Sequence, residues 1–313
     1  MKSNAATIIL LASSLAISSR CVWAQSTGAA KHSKPLTYPY SSEEAGTLSA
    51  ALARKDLDLR AALTAAPESA ELLYAYALVL RQEGKAHDSL AAYTRAASLR
   101  KPTAQELRSV ALDYVMLNDY DDAIHWLEMA AQIDPQDAEV LYSLGRCYYS
   151  KDRYQDARKL YEQVLAIQPR NLKAEENLGL VYDATNEPDK AEEALRKATS
   201  WADAGGTDEW PFLDLGGFLL DHNHAAEAIN ELRIAVRIKP RRAESHEKLG
   251  RALLATHDTS GGIEELREAS HLQPENPRTH YELGRALRQA GQIDKAQEEF
   301  KLSQKLYAAH SQE

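Results

Sequence analysis

A fixed interval between small residues constrains this chain more than any other feature. Ala77, Ala111, Gly145, Gly179, Gly216, Gly250 and Gly284 follow one another at steps of 34 residues, with a single step of 37 between Gly179 and Gly216. Ser89, Ala123, Ala157, Ala191, Ala228, Gly262 and Ala296 keep the same spacing and the same exception. Pro135, Pro169, Pro240 and Pro274 make a third ladder in phase with these, and Pro67 extends it upstream. Ladders that share one period and one insertion mark an array of stacked units, which grows along an axis instead of enclosing a single core. That overrides the two globular domains that 313 residues would otherwise suggest.

Within residues 138–171, Leu141, Leu144, Gly145 and Tyr148 follow helical spacing until Lys151-Asp152-Arg153 interrupts it. A second stripe, Ala157, Tyr161, Val164 and Leu165, ends at Pro169. The unit is therefore helix, tight turn, helix, with Asp137 and Asn171 standing where N-caps belong. Helices of about a dozen residues are marginal alone in water and must bury their stripes against neighbours. Gly145 and Ala157 are small where the two helices would cross, and Leu144, Tyr148 and Tyr161 fill the surrounding grooves. The composition, 44% hydrophobic and 27% charged with 14 glycines, suits a helical chain.

The pattern resembles the tetratricopeptide repeat family, whose consensus carries Leu-Gly, then Tyr three on, a later Ala, an aromatic or Leu, another Ala and a terminal Pro. Leu178-Gly179, Tyr182, Ala191, Leu195 and Ala198 fit it, as do Leu215-Gly216, Leu219, Ala228, Leu232, Ala235 and Pro240. The resemblance implies an all-α, right-handed superhelical solenoid of helix-turn-helix repeats over 70–103, 104–137, 138–171, 172–205, 209–242, 243–276 and 277–310. Upstream, residues 42–69 read as a degenerate N-terminal helical cap. Ser41 and Glu44 could form a capping box there, and Leu59, Ala62 and Leu63 make a short apolar stripe. Residues 25–41, rich in Ser, Thr, Pro and Gly, are expected to be a flexible linker. Asp203 replaces the expected proline ahead of the insertion Ala204 to Asp208, where the stack is expected to bend or loosen. Asp294 to Gln304 is a polar helix suited to facing water at the end of the array.

At the N-terminus, Lys2 precedes an apolar stretch from Ala5 to Ile17, followed by Val22-Trp23-Ala24. This is the pattern of a secretory signal over residues 1–24, cut at Ala24/Gln25, and the stretch is short for a membrane span. An exported, periplasmic protein is expected, with no membrane insertion of the mature chain; a retained N-terminal anchor is the weaker alternative. Arg20 ahead of Cys21 argues against lipid attachment there. The whole chain carries −9, and the cleaved one would carry 35 basic against 46 acidic residues, a net −11. Such a balance, without any Lys/Arg block, argues against nucleic acid or anionic lipid as partner. Cleavage would also leave Cys147 alone, so no intramolecular disulfide could form, and its place inside a helix reads as a small buried apolar residue.

No nucleophile elbow, phosphate-binding glycine loop or zinc-protease motif occurs, so no catalysis is expected. Asp221-His222-Asn223-His224 falls in the turn of the fifth unit, and His246 and His280 stand at equivalent places in the last two; all read as turn and packing residues, so no metal or cofactor is expected. The resemblance places the working surface on the concave face, lined by the first helix of each unit. Its groove positions are Tyr74, Leu78, Arg108, Leu112, Tyr142, Arg146 and Tyr149 in the first three units. The fourth offers Lys173, Glu176, Leu180 and Asp183, and the fifth Trp210, Leu213 and Leu220. Glu247, Arg251, Tyr281, Arg285 and Arg288 follow in the last two. The asparagine by which chaperone-binding members clamp a terminal carboxylate is absent from these places. Aromatic residues beside arginines favour a protein or peptide with acidic and apolar side chains. The expectation is a non-catalytic protein–protein interaction scaffold in the bacterial envelope. The alternative is a structural spacer subunit of an envelope secretion, outer-membrane or polysaccharide-export assembly, working through its convex face.

Overall fold

A computed structural model of the chain describes residues 55–202 and 206–310. The expected signal segment, linker and Ser41–Glu44 capping box lie outside the described residues, as does Asp203. Every regular element among the described residues is an α-helix. After a helical stretch at 55–65 come seven pairs: α1 (Ala70–Gln82) and α2 (Ala86–Leu99), α3 (Ala104–Met116) and α4 (Tyr120–Ile133), α5 (Ala138–Ser150) and α6 (Tyr154–Ile167), α7 (Leu172–Ala184) and α8 (Pro188–Trp201), α9 (Trp210–Asp221) and α10 (Ala225–Ile238), α11 (Ala243–Ala255) and α12 (Thr259–Leu272), and α13 (Pro277–Gln289) and α14 (Ile293–His310).

The described residues divide into two compact units, one ending at Pro169 and the other beginning at Arg170. In the first, α1 packs on α3 and α3 on α5, while α2 and α4 each lean on the first helix of the next pair. The second unit repeats the arrangement, with α7, α9, α11 and α13 each touching the next and α8, α10 and α12 wedged behind. First helices thus form a continuous row inside each unit, and second helices form its backing.

The crossing inside each pair follows from the small-residue ladder. A Cβ on Gly145 would stand 2.7 Å from the Tyr161 ring, and one on Gly216 would stand 2.6 Å from Leu232. The same offset of sixteen residues joins Gly179 to Leu195, Gly250 to Leu266 and Gly284 to Phe300. No side chain fits there, so the helices close to backbone distance and the large partner fills the groove. Tyr161, Leu195, Leu232 and Leu266 are accordingly almost fully buried.

Turns and caps set the pairing. Among the described residues, seven at one place in the period have positive φ: Gly84, Asn118, Asp152, Asn186, Asn223, His257 and Gly291. A left-handed residue reverses the chain within a three-residue turn, and Gly, Asn and Asp adopt that conformation most readily. Asp137 accepts hydrogen bonds from the backbone N–H groups of Glu139 and Val140, and Asn171 accepts from Ala174, as their sequence positions foretell. Thr103 and Glu106 complete a capping box at α3.

At the start of the array, Leu63 of the 55–65 stretch packs against the core of α1 and α2, and the Arg60 guanidinium lies 5.3 Å from the Tyr76 ring centroid. Beyond the insertion, α9 still touches both α7 and α8. Glu209, 1% exposed, pairs with Arg242 at 2.5 Å, whose guanidinium also stands 4.3 Å from the Trp210 ring centroid. The Thr199 hydroxyl, 2.8 Å from the Leu195 carbonyl, also stands 3.2 Å from the Pro211 carbonyl across the same junction.

Candidate interaction surface

In the first unit the row α1–α3–α5 carries the groove positions. Leu78 is exposed, and Arg108, Leu112, Tyr142, Arg146 and Tyr149 are half-buried. Tyr142, Arg146 and Tyr149 stand at i, i+4 and i+7 on α5 and so share one face. Their rings are braced from behind: Tyr142 tilts on Tyr161 at 5.9 Å between centroids, and Tyr149 meets Tyr154 edge-on at 5.5 Å. Among the described residues Arg146 has no ion-pair partner, whereas Arg108 reaches Glu139 at 3.6 Å and Gln105 at 3.2 Å.

Tyr74 departs from the expected surface. It is 5% exposed, its hydroxyl donates to the Arg100 carbonyl at 3.0 Å, and the Arg100 guanidinium covers its ring at 4.5 Å. It forms the same tilted pair with Tyr93 that Tyr142 forms with Tyr161, but here an arginine from the next loop closes over it. Tyr74 is therefore a core residue.

The second unit is uneven. Glu176, Leu180 and Leu213 are buried, while Lys173 is exposed and Asp183, Trp210 and Leu220 are half-buried. Glu247 is also buried, accepting from the Thr279 hydroxyl at 2.9 Å and pairing with Arg278 at 3.2 Å. The exposed groove residues concentrate on α13, where Tyr281, Arg285 and Arg288 repeat the i, i+4, i+7 spacing of α5. Tyr281 tilts on Phe300 at 5.7 Å, the equivalent of the Tyr142–Tyr161 pair. Arg251, Arg285 and Arg288 rim a cleft of about 490 Å³ between α9, α11 and α13.

His246, His280 and His222 are occupied within the chain, whereas His224 is exposed and makes no side-chain cap bond. His246 places Nδ1 at 2.6 Å from Glu265 and Nε2 at 2.9 Å from the Pro240 carbonyl. His280 repeats this one period later, with Glu299 at 2.7 Å and the Pro274 carbonyl at 2.9 Å. Each ring thus clamps the second helix of its pair to the loop before the first, and neither has a nitrogen left for a metal. Burial disfavours the His246 imidazolium, but hydrogen bonds to Glu265 and the Pro240 carbonyl outweigh it and raise the pKa. His222 stacks on Phe218 at 4.1 Å and lies beside the left-handed Asn223 in the expected turn. Among the described residues no group of three His, Cys, Asp or Glu side chains is arranged to hold a metal ion. Cys147 is 3% exposed, and burial pushes its thiol up to about 12.

One buried polar contact escaped sequence reasoning. Ser89, on the second small-residue ladder, has its Oγ 2.8 Å from the Ala77 carbonyl and 2.6 Å from an Asp113 carboxyl oxygen. A carbonyl only accepts, and Ser89 has one hydrogen to donate, so satisfying both contacts requires the proton on Asp113. Burial pushes that carboxyl up to about 7, against the opposing effects of Ser89 and Arg81. This neutral bridge locks the first pair to the second. No period marks it, because only one position in the array carries it.

Tetratricopeptide repeat models match residues 107–170 and, separately, 150–210 and 253–310, which together take in more than half of the chain. Solved structures resemble it at low identity. A tetratricopeptide repeat protein from Parabacteroides merdae aligns with a TM-score of 0.60 and 18% identity over 84% of this chain and 98% of its own. Yeast Tom70 aligns with 0.63 and 18% over 86% of this chain and 58% of its own. The pilF protein of Pseudomonas aeruginosa aligns with 0.56 and 18% over 66% and 93%. At these identities the likeness shows the fold. No curated protein matches the chain in sequence at a significant level.

Proposed function

We propose that this chain, which belongs to the tetratricopeptide repeat family, is a non-catalytic scaffold that holds a partner protein or peptide against the row of its first helices. The observation that carries the reading is the braced face of α5. There, Tyr142 and Tyr149 are fixed by Tyr161 and Tyr154, and Arg146, without an ion-pair partner among the described residues, stands between them. Rings already held in place lose little freedom on binding, and aromatic and arginine side chains dominate the energetics of protein contacts.

The setting belongs to the same proposal. Lys2, the apolar run to Ile17 and the Val22-Trp23-Ala24 stretch support export to the periplasm with cleavage at Ala24/Gln25. No helix among the described residues is long and apolar enough to cross a membrane. The test is affinity capture from the periplasmic fraction, comparing the native chain with a Tyr142→Ala, Arg146→Ala, Tyr149→Ala variant. A second variant carries Gln163→Ala and Arg267→Ala on the exposed sides of α6 and α12. Loss of the captured partner in the first variant alone is expected; equal capture by the first variant, at an unchanged helical circular dichroism signal, contradicts the reading.

A further inference from the structure

We infer that the first helix pair is a proton-operated latch: the neutral carboxyl of Asp113 docks α1 and α2 on α3, and the ionised carboxylate releases them. The inference stands whether or not the row of first helices holds a partner.

The place of the bridge in the array comes first. Ser89 on α2 and Asp113 on α3 meet where two consecutive pairs join, and both are fully buried. At the equivalent places of later junctions stand Ala123 and Cys147, Ala228 and Ala252, and Gly262 and Ala286, all buried. The first junction thus holds a carboxyl where those hold none.

Hydrogen bonding then fixes its charge. With a proton on Asp113 both contacts of Ser89 are made: the carboxyl donates to the Ser89 Oγ at 2.6 Å, and Ser89 donates to the Ala77 carbonyl at 2.8 Å. Without that proton one contact must go, and a charge is left in a dry junction. Arg81 of α1 is the cation that acts on the carboxyl, but its guanidinium is bonded to the Ser109 carbonyl at 3.3 Å. Tyr93 of α2 faces the same carboxyl as a neutral phenol, its own pKa pushed up to about 12 chiefly by burial. Among the described residues no charged group of α4 or α5 acts on it. Burial is the largest influence, and it holds the carboxyl at about 7 instead of 3.8.

Packing leaves the bridge to decide. To the apolar cluster of the first pair α3 offers Val110, itself only partly buried. In the second unit, Ile263 and Leu266 of α12 share one buried cluster with Leu283 and Leu287 of α13. Apolar packing joins the last two pairs, whereas the Asp113 bridge and the Arg81 bond join the first two beside Val110. Once released, α1 no longer heads the row of first helices, and Val110 loses its cover.

The test is hydrogen exchange of the whole chain, read by mass spectrometry from about pH 5 to about pH 8 and corrected for the intrinsic effect of pH on exchange. Protection of α1 and α2 should fall about tenfold per pH unit up to about pH 7 and level off above it, while α5 and α6 change less than about threefold. Asp113→Asn offers an amide N–H in place of the carboxyl O–H and cannot ionise, so its α1 and α2 should stay protected throughout. Ser89→Ala, Asp113→Val, which makes both places apolar as in later junctions, should behave likewise. If one variant loses its helical circular dichroism signal, the other decides. A flat native profile, a fall shared equally by α5 and α6, or the native slope retained in a folded variant would each overturn the latch.

Discussion

At each intra-pair turn one residue must adopt a left-handed backbone, and His257 is the least suited of the seven. A side chain with a Cβ costs roughly 1–2 kcal/mol there, and Gly recovers this less the entropy it adds to the unfolded chain. His257→Gly should therefore stabilise the protein by about 0.5–1 kcal/mol in urea unfolding, and a loss of stability would count against the turn geometry. Protons matter at two other residues. The Asp113 carboxyl is raised from 3.8 to about 7, so its proton is held more tightly in the folded chain. Its contribution is fully present below pH 3.8 and is lost as pH rises through about 7. His246 acts in the same direction: its raised pKa gives stability that is complete below the ordinary value of 6.5 and lost as pH rises through the folded one. Unfolding free energy should thus fall as pH rises from about 5 to about 7, and keep falling above that while the raised His246 loses its proton; Asp113→Asn should flatten the part of that fall below neutrality. A stability that rises with pH across this window would contradict both assignments. The Cys147 thiol, buried and raised to about 12, should resist a disulfide reagent at about pH 8 until urea exposes it; prompt labelling of the native chain would refute its placement.

Among the elements, the helix crossing was legible in the sequence. Gly145 and Tyr161 sit sixteen residues apart, and the structure puts an imagined Cβ of the first 2.7 Å from the ring of the second. Gly145→Leu should cost about 1–3 kcal/mol by overpacking, read as a lowered urea midpoint. A change no larger than that of Lys159→Leu, exposed on α6, would dismiss the close crossing. The caps at Asp137 and Asn171 were legible for the same reason: a local signal, repeated in register, needs no knowledge of the neighbours. What the sequence withheld were contacts made once. Ser89 belongs to a ladder, but its bond to Asp113 depends on a single carboxylate brought in by the next pair. The clamps of His246 and His280 join each histidine to a glutamate 19 residues on and to a proline carbonyl, a combination that no helical stripe announces.

Across the whole molecule, the candidate face was only partly readable. Equivalent positions in the period share a backbone location, but exposure depends on what the next loop or helix lays over them. Tyr74 and Tyr281 are equivalent, yet Arg100 covers the first and the second is 48% exposed. Glu247 occupies a groove position and is consumed by Thr279 and Arg278 instead. The face that remains is an aromatic and arginine surface on α5 and a second on α13, each described within its own unit. Photo-crosslinking in the periplasm tests the account most directly, with p-benzoylphenylalanine placed in turn at Leu112 and Tyr281 on first helices and at Gln163 and Arg267 on second helices. The account predicts one common partner crosslinked from a first-helix position and none from either second-helix position; crosslinks from Gln163 and Arg267 alone would contradict it.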